Sequence, residues 1–262
     1  MKHCIWCSKP VEGSQPKEHI VPEAIGCPEG FVLSDGEVCG PCNNRLAHLD
    51  QSLSADLEVF AMMAGVPRKH GRPPEISSFG NLRAEVRSGQ PEWYFNMGPG
   101  SLTTQSGRSV PPFRGRDRDV RANIEIQGKV ATIDFPFSFG TSPKTARALV
   151  KIAGEYLCLQ RGREAASETL QGPVADFVCF GKGERPIILS GFDKSKYQHR
   201  FDQIWRSEKG GYFCPFRLAH FEVGVDLSSD CSSFASVSQE MYRQYGPKGW
   251  TTLPPGAFSP ES

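Results

Sequence analysis

Two pairs of cysteines constrain this chain more than anything else in it: Cys4-x-x-Cys7 and Cys39-x-x-Cys42, with 31 residues between them. A CxxC turn points two sulfurs at one place, and two such turns supply the four thiolates of a tetrahedral zinc site. A redox dithiol would need one pair only. The segment is too short to bury a substantial core, so a bound metal would contribute its folding free energy directly. Nine cysteines is an odd number, and metal-bound thiolates in a reducing compartment fit better than a disulfide framework. Cys27, Cys158, Cys179, Cys214 and Cys231 lack partners at ligand spacing and are expected to be apolar packing residues.

The 262 residues are enough for one large domain or two small ones, and 38% of them are hydrophobic. No run of about 18 apolar residues occurs, so no spanning helix is expected. Met1-Lys2-His3-Cys4 is not the start of a secretory signal. The expected location is cytoplasmic, with no membrane partner. The net charge of +1 is uninformative, but its distribution is not. Between Gly65 and Arg121 there are ten Lys/Arg against five Asp/Glu. That local excess points to a phosphate partner or to a solvated loop face.

Periodicity outlines an α+β chain. Met1 to Trp6 and Phe31 to Val38 read as brief strands. Leu46, Leu49, Leu53, Leu57 and Phe60 form one helical stripe from Asn43 onward, stopped by Gly65-Val66-Pro67. Glu92 to Met97 reads as a strand, and Val120 to Phe137 as a hairpin turning at Gln127-Gly128-Lys129. Ser142-Pro143 opens a second helix, serine as N-cap and proline at the first position. Its wide apolar face (Ala146, Leu149, Val150, Ala153, Tyr156, Leu157) is expected to run to about Gln160, with a polar helical turn from Glu164 to Leu170. Strands are expected at 175–180, 186–189, 200–207, 211–216 and 219–225, then a frayed tail after Gly246. The division drawn from this is a module over 1–72 and an α+β region over 73–262.

Between the cysteine pairs lies Lys17-Glu18-His19-Ile20-Val21-Pro22, and the last cysteine is followed by Asn43-Asn44. With Cys-Ile-Trp-Cys and Val-Cys-Gly-Pro-Cys-Asn-Asn, this resembles the HNH endonucleases, the ββα-metal nucleases, in the branch with a four-cysteine zinc site. The likeness covers roughly residues 4 to 72. It implies an N-terminal ββα-metal module with structural Zn²⁺ on Cys4, Cys7, Cys39 and Cys42, and a catalytic Mg²⁺ or Mn²⁺ on Glu18 and Asn43. It also implies His19 as the general base. The chemistry is coherent in itself. Carboxylate and amide oxygens suit a hard divalent ion, and a group titrating near neutrality can take a proton from water. The family's middle asparagine, which orients the base, has Ser34 or Asp35 in its place. Asn44 and His48, four apart on the helix, offer another ligand pair, and Arg68 and Arg72 are candidate phosphate contacts.

The function implied is phosphodiester hydrolysis in DNA, with RNA as an alternative substrate. Cutting both strands of a duplex needs two sites or two visits, so a homodimer is one arrangement to expect. The competing reading is a zinc-ribbon nucleic-acid-binding protein without hydrolysis. Aromatic residues Trp205, Tyr212, Phe213 and Phe216 are expected in the core, and His199 and His220 are expected to be structural.

Overall fold

A computed structural model of the chain describes residues 2–67, 75–79, 82–87, 90–95, 100–104, 107, 109–110, 123–127, 130–134, 139, 142–191, 193, 197–207, 210–246 and 250–253. It combines helices and strands in an α+β fold. The chain divides into two compact units, one made of Met1–Ser54 with Gly140–Ser262 and the other of Ala55–Phe139. The cysteine-bearing segment therefore shares one unit with the C-terminal body.

In the first unit, β1 (Glu18–His19) pairs antiparallel with β2 (Val32–Leu33), Glu18 opposite Leu33 and His19 opposite Val32. A short 3₁₀ turn (Glu23–Ile25) lies between them. Helix α1 (Gly40–Met63) follows directly. Leu46, Leu49, Leu53 and Leu57 are fully buried along it, as the spacing predicts. Each such side chain contributes about 1.5–3 kcal/mol of hydrophobic stabilisation. Expected strands at the N-terminus and over Phe31 to Val38 shrink to an isolated bridge between His3 and Pro10 and to the two residues of β2. Tight turns leave no length for more: Cys4 N–H donates to Lys9 O at 3.0 Å and Ser8 N–H to Cys4 O at 2.9 Å.

The second unit holds the last turns of α1, from Ala55, and antiparallel strands. β3 (Glu75–Phe79), β4 (Leu82–Arg87) and β5 (Gln90–Phe95) form a meander. β6 (Leu102–Thr103) pairs with β7 (Ser109–Val110). β8 (Asn123–Gln127) and β9 (Val130–Asp134) form the expected hairpin, with Gln127 opposite Val130.

The first unit resumes with α2 (Pro143–Leu170), whose Ser142 side chain accepts from Lys144 N–H at 3.3 Å. The helix is broken at Gly162, where φ is 86° and ψ is 168°. A side chain there would be strained, so glycine lets the polar turn leave the apolar helix at a new angle. Next comes α3 (Pro173–Phe180), in place of the strand expected from its apolar run. Proline at its first position and Gly181 in the left-handed conformation at its end frame a short helix.

A sheet in the order β11 (Arg200–Phe201), β13 (Tyr212–Leu218), β14 (Phe221–Asp226), β10 (Ile187–Leu189) and β15 (Thr251–Leu253) completes the unit, with β12 (Trp205–Arg206) also paired to β13. Helix α4 (Phe234–Tyr245), not foreseen, packs on it, and Met241 and Phe234 join Ile188 and Phe213 in the core. Trp205 packs against that cluster, and Phe213 and Phe216 are buried. β15 lies in the stretch expected to be frayed.

Three ties fasten the cysteine segment to this body. Phe31 meets the rings of Tyr156 and Phe201, at 5.7 and 4.6 Å between centroids. The Ile25 carbonyl accepts from the Tyr197 hydroxyl at 2.7 Å and from His199 Nε2 at 2.6 Å. Ala219 N–H donates to His199 Nδ1 at 3.3 Å. One nitrogen therefore donates and the other accepts, so the ring is neutral, and burial lowers its pKa accordingly. Trp6, inside the first CxxC, lies against Gly154 of α2. A Cβ on Gly154 would come within 2.9 Å of the indole and 2.8 Å of Leu170.

Gly154→Ala therefore trades a helix-propensity gain of about 1 kcal/mol for overpacking of about 1–3 kcal/mol. The expected net result is a lower urea midpoint; a midpoint equal to or above that of the parent chain would refute the Trp6 docking described.

Candidate metal centre

The four cysteines come together. Their Sγ atoms all lie within 4.8 Å of one another, and Cys7 Sγ is 3.7 Å from Cys39 Sγ. A tetrahedral zinc site with Zn–S bonds of 2.3 Å has S···S edges of about 3.8 Å, so the set fits such an ion. Cys4, Cys39 and Cys42 are buried. The sequence accounts for the assembly. Each CxxC closes a tight turn, and Ile5 N–H donates to Glu37 O at 2.9 Å, which brings the first turn beside the second. Cys42 lies in the first turn of α1, where the helix N-terminus favours a thiolate. The Gln15 side chain accepts from Gly40 N–H at 2.9 Å and so satisfies one of that helix's free amides.

The electrostatics favour metal binding. A hydrogen bond from Cys42, helped by the backbone at Cys39, Trp6 and Cys7, lowers the Cys4 pKa to about 4 despite burial. Its own hydrogen bond to Cys4 pushes Cys42 up, and burial raises Cys39. Sharing one sulfur's charge among neighbouring thiols is what a metal ion replaces, releasing their protons on binding.

Arg163, just past the Gly162 break, holds both turns from outside. It donates to His3 O at 3.0 Å, Gly36 O at 2.9 Å and Asp35 O at 2.6 Å. Five guanidinium N–H groups in a rigid fork suit three carbonyls at once.

The adjacent pair Glu18-His19 splits across β1, as strand alternation requires. Glu18 turns inward and is buried, while the His19 side chain is 34% exposed. His19 Nε2 is 3.5 Å from Glu23 Oε1. The Asn43 amide donates to Lys17 O at 3.5 Å, so it borders the strand that carries both. Ser34 is exposed. The Asp35 carboxylate pairs with Lys2, which lowers its pKa, and lies 3.9 Å from Arg163. Asn44 is exposed, and His48 Nδ1 is 2.7 Å from Arg45 O one turn back. Arg68 and Arg72 lie outside the described residues, as does the Arg114–Asp119 run. Among the described residues no helix is long and apolar enough to cross a membrane. Comparison with known proteins finds no matching family model, no curated protein and no solved structure.

Inward, Glu18 meets a group that sequence reasoning missed. Lys151 Nζ lies 2.5 Å from Glu18 Oε1, 3.0 and 3.2 Å from the Asp50 oxygens and 3.3 Å from Glu155 Oε2. Lys151 and Glu155 have no solvent exposure. Glu155 Oε1 accepts from the Trp6 indole at 3.1 Å. Burial raises the Glu155 pKa well above the carboxylate range against the pull of Lys151, and the nearby Glu18 and Asp50 charges add to the rise. Burial also raises Glu18, against the pull of Lys151. Burial works to discharge Lys151, but Glu155, Asp50 and Glu18 together hold its pKa above that of an ordinary lysine. The signal was present in the sequence as a Lys–Glu pair four residues apart within an apolar helix face. Glu18 Oε1 is thus engaged by Lys151 on the buried side of β1, away from the face that carries His19.

Two outcomes follow. Cys42→Ser should lower the bound zinc from one equivalent per chain and lower the thermal midpoint; unchanged zinc content by atomic absorption would remove the four-sulfur site. Lys151→Met, which leaves buried carboxylates without their cation, should cost about 3–5 kcal/mol in chemical denaturation. A loss below about 1 kcal/mol would mean that the carboxylates do not depend on it.

Proposed function

We propose that this chain is a metal-dependent endonuclease of the HNH, or ββα-metal, type, acting on phosphodiester bonds in DNA, with a structural zinc ion on Cys4, Cys7, Cys39 and Cys42. The observation that carries the reading is the arrangement around β1. Two short paired strands precede a helix, the half-exposed His19 sits on the first of them, and Asn43 at the start of the helix borders that strand. The cysteine cluster joins the two ends of this segment.

In this reading His19 takes a proton from the attacking water. Glu23 stands in the role foreseen for Ser34 or Asp35: its carboxylate beside Nε2 stabilises the imidazolium as it forms. Asn43 offers an amide oxygen to a hard cation. Glu18 would enter the chemistry only where a divalent ion shared or displaced its contact with Lys151.

The Glu18–Lys151 contact favours a second reading, a zinc-ribbon nucleic-acid-binding protein without hydrolysis. Supercoiled plasmid separates the two. With Mg²⁺ or Mn²⁺ the parent chain is expected to nick or linearise it. His19→Ala, with zinc content intact, is expected to lose about 10²-fold or more of that activity. Metal-independent integrity of the plasmid alongside retained DNA binding would establish the second reading.

A further inference from the structure

Helix α3 ends on an aromatic ring that the core does not use. Phe180 is 56% exposed; among the described residues only Met63 and Leu102 are comparably exposed large apolar side chains. Its position is fixed: Gly181 takes the left-handed cap conformation and donates to Phe177 O at 2.9 Å. Two cations lie over the ring, one from α1 and one from the turn after α3. The Arg45 guanidinium, on α1 two residues past Asn43, and the Lys182 ammonium each lie 5.4 Å from its centroid. The ring borders a cleft of about 760 Å³ beside the cysteine cluster, lined also by Lys9, Glu12 and Asp176.

We propose that this cleft binds an unpaired nucleotide of single-stranded nucleic acid, the base stacked on Phe180 and its phosphates on Arg45 and Lys182. The volume lies within the roughly 300–1,000 Å³ of small-ligand sites. An exposed aromatic ring among cations is the combination that holds a single strand, whatever its sequence. Glu12 and Asp176 decide against simpler anions: they repel free phosphate or an acidic peptide, yet they accept hydrogen bonds from the N–H groups on an unpaired base's pairing edge, the thymine imide included. A duplex keeps its base faces inside the stack and cannot use the ring. The inference rests on the nucleic-acid reading of the preceding section and narrows its substrate to strands with unpaired bases.

The test is fluorescence anisotropy with the zinc-loaded full chain and no added divalent ion. The probes are a short labelled oligothymidine, an abasic strand of the same length and a blunt duplex. Oligothymidine should bind tighter than either of the others. Phe180→Ala should weaken oligothymidine binding about tenfold or more and leave the abasic strand unaffected, and Phe180→Trp should restore it. Because the ring is exposed, the substitution leaves the core intact. Equal binding of oligothymidine by Phe180→Ala and the parent, or equal binding of abasic strand and oligothymidine by the parent, would overturn the proposal. Cleavage with Mg²⁺ or Mn²⁺ of the same labelled strand, run beside the plasmid, scores the other reading separately. Cleavage without Phe180 dependence removes this inference alone, and Phe180-dependent binding without cleavage removes hydrolysis alone.

Discussion

A single ammonium in the core ties together everything built around the cysteine cluster. Lys151 gathers Glu18 from β1, Asp50 from α1 and Glu155 from its own helix, and Glu155 in turn holds Trp6 of the first CxxC. A buried ion cluster is weak evidence for net stability, since desolvation offsets much of the attraction. What it supplies is specification. A shift of β1 by one residue would turn Glu18 away from Lys151, so the contact favours the register seen. That register turns His19 outward.

The metal centre and the ion cluster solve the same difficulty at two scales. The first forty residues are mostly turns, and alone they are too short a segment to form a core. Sulfur ligands fix the turns to each other. Lys151, Arg163 and the Tyr197–His199 pair then fix them to the body through charges and backbone carbonyls. The segment is held by directional polar contacts at its edge, and apolar packing comes from Phe31, Trp6 and the α1 leucines.

Local patterns were legible in the sequence wherever neighbours decide the structure. The leucine stripe of α1, the Ser142-Pro143 start, the hairpin of β8 and β9 and the convergence of the two CxxC turns all follow from spacing. Two elements went astray for definable reasons. The run before Phe180 is apolar apart from Asp176, so its period carries little sign of helix, and Pro173 and Gly181 mark its ends. Helix α4 has Phe234, Val237 and Met241 at helical spacing, but it falls between the last expected strand and the expected tail, a stretch read as carrying no element. In the site, the alternation of Glu18 and His19 was legible, but the partner of Glu18 was not. Lys151 lies 133 positions away, inside a face read as apolar, and nothing local announces which buried acid it will meet. The same holds for Glu23, whose role depends on the 3₁₀ turn after Pro22.

The reach of these contacts has a consequence for how the chain is made. Arg163 clasps carbonyls at His3, Asp35 and Gly36, and His199 and Tyr197 clasp the one at Ile25. At about 5–20 residues per second of synthesis, the cysteine turns leave the ribosome on the order of ten seconds before their last brace exists. Throughout that interval four thiols stand without the residues that later cover them. A metal ion held by those four thiols would organise the segment before its braces arrive.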